Sequence, residues 1–369
     1  MPASAIACRF ALIALGLASL APAAPAATKG IWITHDEIMA LPMSGPAWAA
    51  LKKQADLPAG TPLLSNQDQN NNVYVLAKAL VYVRTGIPSY RDSVVRACMA
   101  AIGTEAGGRT LALGRELEAY VVSADLVGLD PADDAVFRAW LRSTLTEVLS
   151  GNTLVSTHET RPNNWGTHAG DSRAAVAAYL GDSAEIARAA RVFKGWLGDR
   201  SAYAGFAYGE LSWQADSTHP VGINPVGATR NGESIDGVLP DDMRRGCSFQ
   251  FPPCPTNYPW GGLEGAVAQA EILHRCGYDT WNWENQALRR AVQFLHDLSL
   301  RYPNDGWWAS GDDQWMVWLI NYRYGTQFPT VLPAQPGKNT AWTDWTHAIS
   351  PSASPDNIAP AHITDLHSG

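Results

Sequence analysis

Apolar residues recur at three- and four-residue intervals along most of this chain, and strictly alternating runs are few. That periodicity marks amphipathic or buried helices rather than strands. Val73, Leu76, Ala77, Leu80 and Val81 set the first clear stripe, over 73–84, and Thr85-Gly86-Ile87-Pro88 ends it with glycine at the stop and proline beyond. The same rhythm predicts helices over 90–102, 111–127, 132–149, 169–180 and 183–196. Breaks fall at Gly107-Gly108, at Gly128 with a restart at Pro131, in a loop over 151–162, and at Gly198. From 201 to 257 the pattern dissolves into Gly, Ser, Asn, Pro and aromatic residues. It resumes over 262–276, 283–302 and 313–324.

Roughly nine or ten helices in hairpin-like pairs predict an all-α fold, and more sharply an incomplete (α/α) toroid of helical hairpins. The 201–257 segment would be its long active-site loop, since loops of that length are seldom idle. No linker splits the chain, so 27–349 reads as one domain and the Pro/Ser/Ala-rich 350–369 as a loosely held tail. The first 26 residues read as a signal peptide: Arg9 is followed by the apolar stretch 10–20 and by Ala24-Pro25-Ala26. No later stretch approaches the roughly 20 apolar residues of a membrane span. The expectation is a secreted or periplasmic protein with no membrane anchor, acting as a monomer.

Composition narrows the partners. The net charge is −8 and no basic stripe is present, which argues against a nucleic-acid partner. Fifteen Trp and 12 Tyr stand against 8 Phe, a balance suited to stacking on sugars, although any single Trp is more often a core residue. Past the leader, Cys98, Cys247, Cys254 and Cys276 allow three pairings, of which Cys247–Cys254 closes the shortest loop. Their spacing fits no zinc site, and Asp241-Asp242 and Asp312-Asp313 read as helix-start pairs, so neither metal nor cofactor is expected.

Two stretches concentrate chemistry. In Arg161-Pro-Asn-Asn-Trp-Gly-Thr-His168, Asn163 suits a helix cap; if Asn164 opens the helix, His168 lies one turn on along the same face. In Gly237–Trp260, Arg244 and Arg245 precede the two cysteines and Tyr258. His219 lies between the two stretches. The bland alternatives are a packed histidine, a solvated arginine pair and a loop histidine.

Taken together, Asn163-Asn164-Trp165…His168 and Gly237-Val-Leu-Pro-Asp-Asp-Met-Arg-Arg245…Tyr258 resemble the alginate-lyase-type polysaccharide lyases. Arg109-Thr-Leu-Ala-Leu-Gly-Arg115 and Asn339-Thr-Ala-Trp-Thr-Asp-Trp345-Thr-His347 extend the resemblance. It implies an (α/α)-toroid enzyme that cleaves mannuronate- or glucuronate-containing polymers by β-elimination, with an acidic polysaccharide as partner. The C5 proton of a uronate becomes acidic once the C6 carboxylate is neutralised, so Arg and amide donors suit that chemistry. The resemblance makes Asn164 and Arg245 the carboxylate neutralisers and Tyr258 the proton donor to O4. Asn163, Trp165, Arg244, Arg109, Arg115 and Trp260 are the expected substrate contacts, the arginines as a local positive groove. The family's mannuronate branch has histidine directly after the two asparagines, where this chain has Trp165. The base is therefore open between His219, His168 and Tyr258, with His219 favoured. Two rivals stand beside this reading. One is a toroid glycoside hydrolase using carboxylates from Glu210, Glu233, Asp241 and Asp242; the other is a non-catalytic sugar-binding protein.

Overall fold

The computed structural model describes residues 29–348; the expected leader (1–26) and tail (350–369) lie outside them. Helices α1 (His35–Ala40), α2 (Gly45–Asp56), α3 (Asn71–Thr85), α4 (Pro88–Ala101), α5 (Thr110–Val127) and α6 (Pro131–Thr144) follow in order. Next come α7 (Leu154–Thr160), α8 (Asn164–Leu180) and α9 (Ser183–Leu197). The long segment carries a minimal antiparallel hairpin, β1 (Thr229–Arg230) with β2 (Glu233–Ser234), and a single-turn helix α10 (Pro240–Met243). Helices α11 (Tyr258–Arg275), α12 (Trp283–Arg301), α13 (Gln314–Tyr324) and α14 (Thr343–Thr346) close the described chain, with a 3-10 turn over Gly311–Asp313.

The packing is all-α and toroid-like. Helices α3, α5, α8 and α11 lie side by side in that order, and the intervening helices pack outside them. The inner helices are buried nearly all round, which explains why α5, α8 and α11 carry apolar residues on every face instead of one stripe. Close approach is set by glycine. A Cβ at Gly114 would come within 2.8 Å of the His168 backbone, and one at Gly265 within 2.4 Å of it from the other side. These two contacts wedge α8 between α5 and α11, and they hold Arg115, His168 and Glu264, each at or beside a contact, at one level.

Most helix ends follow the sequence closely, but α8 and α11 begin earlier than expected, at Asn164 and Tyr258 instead of 169 and 262, and two further departures fall between 144 and 162. Residues 151–162 are not an open loop. Thr153 and Ser156 cap each other reciprocally and start α7 inside it, a local hydrogen-bond exchange that hydrophobic periodicity does not register. Helix α6 stops at Thr144, short of the expected 149.

Candidate active site

The first two turns of α5, α8 and α11 bring Arg115, Asn164, Tyr258 and Glu264 to one pocket of about 220 Å³, which Asn257, the 3-10 turn and Lys338 complete. Asn163 is the N-cap of α8, its Oδ1 accepting from the Trp165 amide. Its Nδ2 donates to Asp241 of α10 at 3.0 Å, and the Asn164 amide donates to Asp242 at 3.3 Å. The acidic pair of α10 therefore clamps the start of α8 rather than simply opening its own helix. Asp242 is fully enclosed, and burial pushes its carboxyl up to about 8.

Asn164 is the pivot. Arg245 Nη1 donates to its Oδ1 at 2.8 Å, which leaves Nδ2 with no acceptor among the described residues. A Cβ placed on Gly261 would sit 3.8 Å from that Nδ2 and 4.0 Å from Arg115 Nη2, so two donors of different helices flank one point of the pocket. Arg115 is oriented from behind: its Nε donates to His168 Nε2 at 3.1 Å, while His168 Nδ1 lies 2.8 Å from the Asn339 side-chain amide. Burial first, then the positive charges of Arg115 and Lys338, hold His168 well below the ordinary histidine range, so the ring is neutral. Tyr258 stands at the first turn of α11, lines the same pocket and is 39% exposed, enough to meet a ligand. The Arg245 guanidinium stacks on its ring, 3.3 Å from the centroid.

Three carboxyls share the pocket: Glu264 of α11 with Asp312 and Asp313 of the 3-10 turn, their oxygens within 4.8 Å of one another. Such a group could accept a hard cation. Here Lys338 Nζ lies 3.4 Å from Asp312 and Arg115 Nη2 3.9 Å from Glu264, so side-chain cations already occupy the cationic side. Burial, then the neighbouring Asp313, pushes Glu264 well above the usual carboxylate range; burial also lifts Asp313 to about 7, against the pull of its hydrogen bond from Asn257. The sequence reading missed Glu264 and Lys338 and placed Asp312-Asp313 only as a helix start. The available signal was a lone acid in Gly261-Gly-Leu-Glu-Gly-Ala-Val, where every neighbour is apolar or small.

Several expected contacts lie elsewhere. His219 is not near this group: it is 68% exposed in its side chain, bonded to Asp216 at 2.8 Å, and borders a separate pocket with Arg200 and Arg290. Arg244 is held by Asp241 through Nε at 2.7 Å and Nη2 at 3.1 Å. Trp260 is buried, its indole N–H donating to the Trp307 carbonyl, and packs as core. Trp165 is half-buried with the Arg161 guanidinium over its ring, and Arg109 is exposed; neither lines the pocket. The hydrolase carboxylates do not line it either. Glu210 accepts from Ser212, Glu233 pairs with Arg301, and Asp241 and Asp242 are buried in the clamp. Cys247 and Cys254 are disulfide-bonded. The Trp213 indole anchors that loop through the Cys247 carbonyl.

Residues 92–219 match the family model described as alginate lyase. The match supports a polysaccharide lyase of the alginate-lyase type. It runs from within α4 past α9 and takes in Arg115, Asn164 and His168; Arg245, Tyr258 and Glu264 follow beyond it. No curated protein matches the chain. No described helix is long and apolar enough to cross a membrane.

Proposed function

We propose that this chain is a secreted lyase that cleaves a β-1,4-linked uronic-acid polymer, of the polymannuronate or glucuronan kind, by β-elimination to 4,5-unsaturated oligosaccharides. The observation that carries this is the pair of donors, Asn164 Nδ2 and Arg115 Nη2, flanking one point beside Gly261, with Tyr258 on the same pocket. A carboxylate bound there would be neutralised by an amide and a guanidinium, which acidifies the C5 proton and stabilises the enolate-like charge that follows its loss. Asn164 and Tyr258 stand in the first turns of α8 and α11, whose partial positive charge adds to the effect.

In this reading Arg245 fixes the Asn164 side-chain amide and packs over the Tyr258 ring, holding both in place. His168 positions Arg115: its Nε2 accepts from that side chain, so its lone pair is engaged away from substrate. Tyr258 then removes the C5 proton as phenolate and returns a proton to O4 as phenol, which needs both sites on one side of the sugar ring. His219, exposed beside another pocket, takes no part. The enzyme works as a monomer without a cofactor.

A panel of purified uronans read by ultraviolet absorbance tests the proposal, because elimination creates a conjugated double bond and hydrolysis does not. Wild type should generate absorbance on at least one polymer. Tyr258→Phe should lose about a hundredfold or more of that rate while still binding polymer. Reducing ends without absorbance would replace the lyase reading by a hydrolase one; full activity in Tyr258→Phe would remove the tyrosine from the mechanism.

A further inference from the structure

The lyase pocket contains a problem of charge. A uronate entering beside Gly261 brings a fourth carboxyl to a place that already holds Glu264, Asp312 and Asp313, with oxygens within 4.8 Å of one another. Among the described residues lining the pocket, only Arg115 and Lys338 stand against them, and Lys338 is shared with Asp68, 3.8 Å from its ammonium. Four ionised carboxylates facing two cations would repel the substrate.

Glu264 is the group placed to relieve this. Its side chain is buried and it lines the pocket one turn from Gly261, the point that Asn164 and Arg115 flank. Oε2 faces Arg115 at 3.9 Å and His168 Nε2 at 3.8 Å, whereas Oε1 has no hydrogen-bond partner among the described residues. A buried carboxyl oxygen without a partner is costly as an anion and useful as an acid, since the protonated form has an O–H to donate.

We infer that Glu264 meets the substrate as a neutral carboxylic acid and donates a hydrogen bond to the uronate carboxylate held by Arg115 and Asn164. Binding of the acidic sugar is thereby tied to one proton on the Glu264–Asp313 pair. The inference rests on the lyase reading for the identity of the ligand, but it concerns binding rather than turnover. No bond to carbon changes, and the proton stays within the hydrogen bond.

The groups facing Glu264 are Arg115 from α5, His168 from α8, Asp312 and Asp313 from the 3-10 turn and Lys338 from the segment before α14. Asp242 of α10 abuts Gly262 nearby and titrates in its own right. Burial lifts both Glu264 and Asp313, so the pair keeps a proton into the neutral range and loses it above. Affinity for uronate is therefore present on the acid side and falls as pH rises past neutrality.

Calorimetric titration of a uronate oligosaccharide into the full chain, in two buffers of different ionisation enthalpy, reads the proton directly. Wild type should take up a fraction of a proton on binding at slightly alkaline pH, and its KM should rise with pH. Glu264→Gln, which donates but cannot ionise, should bind with no uptake beyond what Asp242 contributes and lose most of the rise in KM. Glu264→Ala should bind about tenfold more weakly or worse at every pH. Asp313→Asn, with an unchanged unfolding midpoint, should lower the uptake as well, which covers the case of a Glu264 variant that fails to fold. Binding with identical proton uptake in wild type, Glu264→Gln and Asp313→Asn would overturn the inference. Activity lost on chelation and restored by a divalent cation would overturn it too, by assigning the carboxylates to a metal. Binding with uptake but no turnover on any uronan would sink the lyase reading alone, while absence of uronate binding would sink both.

Discussion

The pocket beside Gly261 and the one beside His219 are of similar size, about 220 and 260 Å³, and each holds arginine and acidic side chains. What separates them is whether the groups left without partners are buried. Around His219 the arginines and Asp216 are already tied into the fold, and His219 itself is exposed. Arg200 donates to the Pro220 carbonyl, Arg290 to Asp236 and the Asn224 carbonyl, and Asp216 accepts from Thr218 and pairs with His219. That pocket is loop architecture, its polar groups used to hold residues 200–237 against α12. Around Gly261 the unpartnered groups are enclosed: among the described residues Asn164 Nδ2 and Glu264 Oε1 have no partner, and Arg115 Nη2 reaches only a 3.9 Å ion pair. Buried polar groups are normally satisfied, and this unfinished cluster, braced from behind by Arg245 and His168, is what the proposed ligand would complete.

The comparison can be broken in graded ways. Asn164→Ala should have the largest effect, about a hundredfold in kcat/KM, because it removes a donor aimed at the developing charge and frees Arg245 from its acceptor. Gly261→Val should come next. The new side chain has room beside Asn164 and Arg115 but fills the seat between them, so KM should rise on the order of tenfold in a folded protein. Cys247→Ser with Cys254→Ser tests the brace: opening so short a loop should cost about 2 kcal/mol in urea unfolding and affect turnover mainly near the transition. His219→Ala should be the mildest, within about twofold of wild type, as befits an exposed side chain.

Much of this was legible in the chain. Periodicity and glycine stops place the helices, and Asn163 is recognisable as a cap because Asn before an apolar run caps by a local hydrogen bond. The Cys247–Cys254 pairing follows from loop length. The histidine did not emerge, because a loop position says nothing of which way the loop folds. His219 follows residues that turn toward α12, while His168, placed by helical geometry on the face of Asn164, is walled in between Gly114 and Gly265. Trp260 illustrates the same limit, since whether a tryptophan stacks on sugar or on Trp308 depends on a residue 48 positions away. Glu264, Asp312 and Lys338 meet only when the ring closes; no local pattern joins them.

The central claim is that the seat beside Gly261, and not the pocket of His219, receives the uronate. The direct measurement sets wild type, Asn164→Ala and His219→Ala side by side on one uronan that wild type cleaves, following unsaturated product by absorbance. The account predicts a loss of about a hundredfold in Asn164→Ala and nearly full activity in His219→Ala. Comparable losses in both, or a silent His219→Ala beside an active Asn164→Ala, would contradict it.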